Sequence, residues 1–317
     1  QRINMYTRWA TVPLALLQAF SFIKLLTRSQ YAIFDNLTPF KYASIMLTVT
    51  AGTVFLMWIG ELMTEKKIGN GVSLLIFEGI VSALPQVLQN AYVNYTPSDA
   101  YTYALFVLIA LVTIVGVVVI SEGQRNIPVS YAKQVRGNRS FGGVQTHLPL
   151  RVNMAGVIPI IFAVSIVLFP PMVAQFFVFG TGRVAWVAKN IIELFNNQLF
   201  YGIVYFLLVF GFTYFYTAVV FQPQKIAENL QRQGGFIPGI RPGKETVEYL
   251  GKTMNRLIFV GALFLGIIAV LPIIVQAATG TASLVIGGTS LLIVVSVAIE
   301  TAKQIESQLT MYEYDRV

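Results

Sequence analysis

Eight stretches of this chain are apolar for about eighteen residues each, at roughly 9–26, 42–60, 72–89, 102–120, 154–174, 200–221, 257–277 and 284–300. At about 1.5 Å per residue, eighteen helical residues reach roughly 27 Å, close to the hydrocarbon thickness of a bilayer. Lipid offers no hydrogen bonds to a backbone, so runs of this length must satisfy their amides internally, as helices do. The chain is 56% hydrophobic and only 11% charged, against about 25% charged for a soluble domain. The expected fold class is therefore all-α, a polytopic membrane helix bundle.

Eight spans put both ends on one side. The termini and the loops 61–71, 121–153 and 222–256 hold seventeen of the twenty-two Lys and Arg residues. Basic residues concentrate in cytoplasmic loops, so both ends of this chain and the two long loops are expected in the cytoplasm. The net charge of +8 would suit a nucleic-acid binder, but here the side on which it lies matters more. Gln1 to Arg8 lacks the apolar core and cleavage site of a signal peptide and reads as a loop cut within a longer protein.

Several chemistries are excluded or unsupported. The chain has no cysteine, which rules out disulfides, thiolate nucleophiles and Cys-ligated metals. His147 is the single histidine, so no metal site is expected. No Ser-His-Asp order, phosphate-cradling glycine loop or carboxylate pair falls in an aqueous segment, and neither an enzyme nor a cofactor is expected.

The two long loops are the distinctive soluble features. Loop 121–153 carries Arg125, Lys133, Arg136, Arg139 and Arg151, with Ile127, Val129 and Tyr131 alternating as in a short hairpin strand. Loop 222–256 carries six basic residues and a run from Gly234 to Gly243 with two prolines and four glycines, the composition of a shaped tip. Basic loops ordinarily set topology. Their length and turn chemistry point further, to a docking surface for an anionic partner such as RNA phosphates or an acidic protein face.

Within the membrane, Met154 to Leu168 carries Gly156 and Pro159, expected to weaken the helix inside a membrane-length run, as in the moving wall of a pathway. Gly71-Val72-Ser73-Leu74-Leu75-Ile76 and Gly288-Thr289-Ser290-Leu291-Leu292-Ile293 agree at five of six positions. They lie on spans of opposite direction, as in an inverted repeat; chance agreement between apolar helices, which share a small alphabet, is the other reading. Ile76, Ile80, Ile161 and Ile293 fall at similar depth by rise per residue. Converging isoleucines would form an apolar constriction that dewets; packing or lipid contact is the other reading, and depth alone leaves both open. Glu78 is a carboxylate inside a span, about 200° around the helix from Ile76 and Ile80. Lys24 lies near an outer end, where its amine would snorkel.

Five motifs carry a resemblance. Met57-Trp58-Ile59-Gly60-Glu61, Ile68-Gly69-Asn70-Gly71, the run Thr146 to Pro159, Phe236-Ile237-Pro238-Gly239-Ile240-Arg241-Pro242-Gly243, and Gly287 to Ile293 resemble the SecY family, the central subunits of the bacterial protein-conducting channel. The resemblance implies ten helices in two inverted halves, of which eight are present. Residues 1–90 would be the remainder of the N-terminal half and 91–317 the C-terminal half. It implies a pore ring of Ile76, Ile80, Ile161 and Ile293, and a lateral gate using Gln18, Asn153, Pro159 and Ser165. It also implies docking of a motor ATPase or ribosome through Arg125, Lys133, Arg136, Arg139, Arg241, Pro242 and Gly243. Family members often carry a second basic residue after Arg125, where this chain has Asn126. The implied partners are SecE and SecG, the motor SecA, the ribosome, signal sequences and nascent polypeptides, SecDF, YidC and membrane lipid. The implied location is the bacterial plasma membrane.

Two other functions fit parts of the pattern. A secondary transporter also uses inverted repeats and broken helices, but it needs a polar midplane site, for which Glu78 is the available residue. A non-transporting insertion scaffold predicts no effect from polar substitutions at the ring.

Overall fold

The structure is a computed structural model that describes residues 2–27, 38–67, 69–93, 100–131, 134–136, 139–141, 145–178, 182–279 and 288–314. The eight apolar runs coincide with helices of twenty residues or more: α1 (Arg2–Thr27), α2 (Pro39–Glu65), α3 (Gly71–Val93), α4 (Ala100–Glu122), α5 (Ile158–Phe177), α7 (Gln198–Val220), α9 (Lys244–Thr279) and α10 (Gly288–Tyr314). Two shorter helices, α6 (Arg183–Asn196) and α8 (Pro223–Arg232), lie between them. Among the described residues six helices, α2, α3, α4, α5, α7 and α9, are long and apolar enough to cross a membrane by length and composition. α1 and α10 are long but more polar, carrying Arg8, Gln18 and Lys24 in the one and Glu300, Lys303 and Glu306 in the other. On α4 the side chains of Val107, Leu108, Leu111, Val112 and Val115 are all more than half exposed. An apolar surface of that extent belongs against lipid.

Local chemistry sets the helix starts. Thr38 caps α2, its hydroxyl accepting from the Lys41 N–H at 3.5 Å, with Pro39 in the first turn where its missing N–H costs nothing. Asn70 caps α3 through Oδ1, which accepts from the N–H groups of Val72 and Ser73 at 3.1 and 3.3 Å. Asn197 starts α7 the same way, accepting from Leu199 at 3.0 Å.

The break expected at Gly156 and Pro159 is placed differently. Met154 to Val157 form a turn, Gly156 takes the left-handed φ of +60°, and α5 begins at Ile158. Pro159 is therefore the second helical residue, where proline is tolerated. The prolines inside the helix are Pro170 and Pro171, which remove the donors for the carbonyls of Ile166 and Val167.

The described residues pack into two compact units. The first comprises Gln1–Gly79, Ser165–Tyr201 and Thr301–Val317. In it α1 runs along α2, and Phe20 stacks on Phe176 at 4.5 Å and meets Tyr42 edge-on at 5.8 Å. Arg8 Nε contacts Glu61 Oε1 at 2.7 Å. Gln308 of α10 donates to the Lys67 carbonyl.

The second comprises Ile80–Val164 and Gly202–Glu300 and is built on α9. Small residues let its helices approach. The ring of Phe264 lies against Gly116 of α4, and that of Phe206 against Gly266 of α9. Leu265, Ala262 and Ala269 of α9 are buried.

At one end of this unit sits a small folded body with a water-type core. Its strands are β1 (Gln124–Tyr131), β2 (Gln134–Arg136), β3 (Arg139–Phe141), β4 (Gln145–Arg151) and β5 (Gly235–Phe236). One sheet has the order β4-β1-β5, and β2 and β3 form a second hairpin. β1 and β4 run antiparallel with Ile127 opposite Leu148 and Val129 opposite Thr146. The expected alternation holds: Ile127 and Val129 are each 1% exposed. Among the described residues β5 pairs with Ser130 and Tyr131, so Pro128 falls where β1 has one neighbour, the place a strand tolerates a missing N–H.

Candidate functional site

The two basic loops predicted to dock a partner are one structure. The side chains of Ile127, Val129 and Leu150 from the hairpin close over Leu230 of α8, Ile237 of the tip and Leu250, Met254 and Ile258 of α9. Each fully buried aliphatic side chain contributes about 1.5–3 kcal/mol, so this core holds the loops in a defined shape. The β1–β5 pairing joins them through backbone bonds, and the Tyr131 hydroxyl donates to Gln233 Oε1 at 3.5 Å.

The tip presents Arg241. Its side chain is exposed and Pro242 beside it is exposed, while its backbone is held on both sides. The Arg241 N–H donates to Glu245 Oε2 at 3.3 Å, and the Thr246 hydroxyl donates to the Arg241 carbonyl at 2.9 Å. Gly243 has φ +100°, a conformation that side-chain-bearing residues rarely take, and it turns the chain directly into α9. A long arginine on a fixed backbone loses less freedom on binding a carboxylate or phosphate than one on a slack loop.

Other basic residues with described side chains are exposed on the same unit. Arg125 is exposed on β1 opposite Leu150. Arg136 and Arg139 are backbone partners in the β2–β3 pairing, and nothing is described of their side chains. Lys133 lies outside the described residues. Lys225, Arg232, Lys244, Lys252 and Arg256 are exposed, with Lys252 paired to Glu248 at 2.7 Å. The platform is thus predominantly positive.

The expected membrane-site residues fall as follows. Ile76 and Ile80 are half-buried, one turn apart on α3. Ile161 is half-buried on α5, and Ile293 is 9% exposed on α10. Gln18 is exposed on α1 in the first unit. Asn153 belongs to the second, where its Nδ2 donates to the Gly156 carbonyl at 3.4 Å and its Oδ1 is buried with no hydrogen-bond partner among the described residues. Pro159 is buried, and Ser165 is exposed on α5. Glu78 is exposed, two residues from the half-buried Ile76 and Ile80. Among the described residues no His, Asp and Glu gather as a metal site. Sequence reasoning missed β5: two residues, Gly235-Phe236, carry no alternation, and the sole signal was the glycine pair that ends α8.

The comparisons agree with this architecture. The family model described as SecY matches residues 1–302. The protein translocase subunit SecY of Corynebacterium glutamicum is 45% identical over 329 residues, covering 99% of this chain and 74% of the relative. That of Thermotoga maritima is 42% identical over 318 residues, covering 99% and 71%. A solved structure described as "The structure of a protein conducting channel" superposes with a TM-score of 0.65 at 17% identity, over 95% of this chain and 72% of the other. The family model over residues 1–302 and the relatives' identity along 99% of the chain give one assignment: this chain belongs to the SecY family.

Proposed function

We propose that this chain is the channel-forming subunit of a preprotein translocase, through which unfolded polypeptides cross the bacterial plasma membrane and leave sideways into lipid. The observation that carries the reading is the identity of 45% to a protein translocase subunit along 99% of the chain. The welded basic platform supports a subunit that performs no chemistry of its own and takes its driving force from a docked motor ATPase, SecA, or a translating ribosome. SecE and SecG would complete the channel, with SecDF and YidC as further associates.

In this reading both ends of the chain and the platform are cytoplasmic, and residues 1–90 and 91–317 belong to two inverted halves. Ile76, Ile80, Ile161 and Ile293 form the constriction, since apolar side chains make no strong bonds to a passing polymer and close without retaining it. Gln18, Asn153, Pro159 and Ser165 line the gate; the unpartnered Oδ1 of Asn153 supplies a buried acceptor for a contact made and broken as helices part. Arg125, Lys133, Arg136, Arg139 and Arg241 receive the partner.

The test uses the full-length protein with its partner subunits in planar bilayers and vesicles. Ile161→Asn and Ile293→Asn should raise resting ion conductance, and Arg241→Glu should stop partner-driven translocation while leaving assembly intact. Unchanged conductance in both ring variants together with normal transport in the third would sink the reading. For the transporter alternative, Glu78→Gln should leave export unaffected; complete loss would favour it.

A further inference from the structure

Between the second half of α5 and the length of α6 lies a cavity of about 580 Å³. Phe169, Val173 and Phe177 of α5 form one wall, Val184, Val187 and Ile191 of α6 the other, and Arg183 stands among them. α6 has fourteen residues, about 21 Å, too short to cross a bilayer. It is amphipathic. Val184, Val187, Ala188 and Ile191 recur on one face at helical spacing and line the cavity, while Lys189, Asn190 and Glu193 occupy the other. Such a helix lies in the plane of a membrane interface, and Trp186, 67% exposed, is an interfacial side chain. In the chain it follows the end of α5 remote from β4, so it lies at the bilayer surface where α5 ends.

The cavity has a charge signature as well as a shape. No acidic residue lines it, and the exposed Arg183 has no ion-pair or hydrogen-bond partner among the described residues. Gly182, the cap of α6, brings no side-chain acceptor to the first-turn N–H groups. A guanidinium at the mouth of an apolar slot matches a phosphate attached to a hydrocarbon chain. A helix about 10 Å across would fill 580 Å³ within roughly one and a half turns, and an extended peptide would bury amides against walls that offer no partners. A slender acyl chain meets neither obstacle.

We propose that this cavity binds one glycerophospholipid, anionic by preference, from the leaflet in which α5 ends, with an acyl chain between α5 and α6 and the phosphate on Arg183. A lipid held there fastens the in-plane helix to the end of α5 and so biases how that half of α5 moves. The proposal rests on the membrane fold alone, not on the translocation reading.

The experiment places the full-length protein with its partner subunits in phosphatidylcholine vesicles containing a phosphatidylglycerol whose acyl chain carries a photoactivatable diazirine. Adducts are mapped by peptide mass spectrometry, with the exposed face of α4 around Val112 and Val115 as reference within the same molecule. Peptides covering Phe169–Phe177 and Val184–Ile191 should label well above that reference. Arg183→Gln should lower the ratio about fivefold for the phosphatidylglycerol probe, Arg183→Lys should retain most of it, and Val187→Trp, which fills the slot, should remove it. Labelling equal to the α4 face and indifferent to Arg183→Gln and Val187→Trp means ordinary lipid wetting and overturns the proposal. Photo-crosslinking from benzoylphenylalanine at position 187 to a protein subunit instead of lipid overturns it too.

Discussion

A methyl group placed on Gly71 would stand 1.8 Å from the carbonyl oxygen of Gly60, so α3 begins with its backbone against the backbone of α2. Thr64 braces the crossing: its hydroxyl donates to the Gly60 carbonyl at 2.9 Å and accepts from the Gly71 N–H at 2.9 Å. Backbone does not yield as a flexible side chain does. Gly71→Ala should therefore destabilise by about 3 kcal/mol, read as a lowered unfolding midpoint of the solubilised protein. Gly52→Ala, where nothing lies within 4 Å, should be neutral or slightly stabilising.

The platform core predicts a local effect. Leu250 is 0% exposed and touches the strands and the tip from α9. Leu250→Ala should cost about 2–5 kcal/mol and expose the stretch from Gln231 to Gly243 to proteases while the apolar helices stay intact. Arg241→Ala removes an exposed side chain and should leave the cleavage pattern unchanged.

Pro170 and Pro171 withhold two helical hydrogen bonds inside α5. Replacing both by alanine restores the donors to the carbonyls of Ile166 and Val167, which should slow amide exchange through that turn and raise thermal stability. Under the proposed function it should also weaken export of substrates with poor signal sequences, because a stiffer wall parts less readily. Unchanged exchange would show that other groups already lock this helix.

The Arg8–Glu61 pair ties α1 to α2 at 2.7 Å, with side chains 54% and 33% exposed. Exposure of that degree limits its worth to about 1 kcal/mol or less. Arg8→Gln should shift the unfolding midpoint slightly at low salt and not at all at high salt, and Arg8→Glu with Glu61→Arg should restore the loss.

Hydropathy located the helices and misjudged their ends, for a physical reason. An apolar run marks where lipid lies, not where helical backbone stops. α9 begins at Lys244, ahead of its expected run from 257, and α10 continues to Tyr314, beyond the expected 300. Thr301, Ala302, Lys303 and Gln304 are compatible with a helix in water, and nothing in the backbone changes at the interface. Gly156 and Pro159 were misplaced for the converse reason: within an apolar run, a helix start and a helix break use the same residues, and only the left-handed φ at Gly156 separates them. The platform was legible on one side, where Ile127, Val129 and Tyr131 alternate. The union of the two loops was not, since β5 joins segments about a hundred residues apart through two residues without a pattern.

That union has a mechanical corollary. α4 runs into β1, β4 leads out to α5, α7 hands over to α8, and the tip turns straight into α9, so four rods share one knuckle. A force applied at the Arg241 fingertip is not dissipated in slack tether; it is borne by ladder bonds and buried aliphatic contacts to the roots of all four at once. Under the proposed function, a partner need only tilt this handle to deliver torque to several rods together.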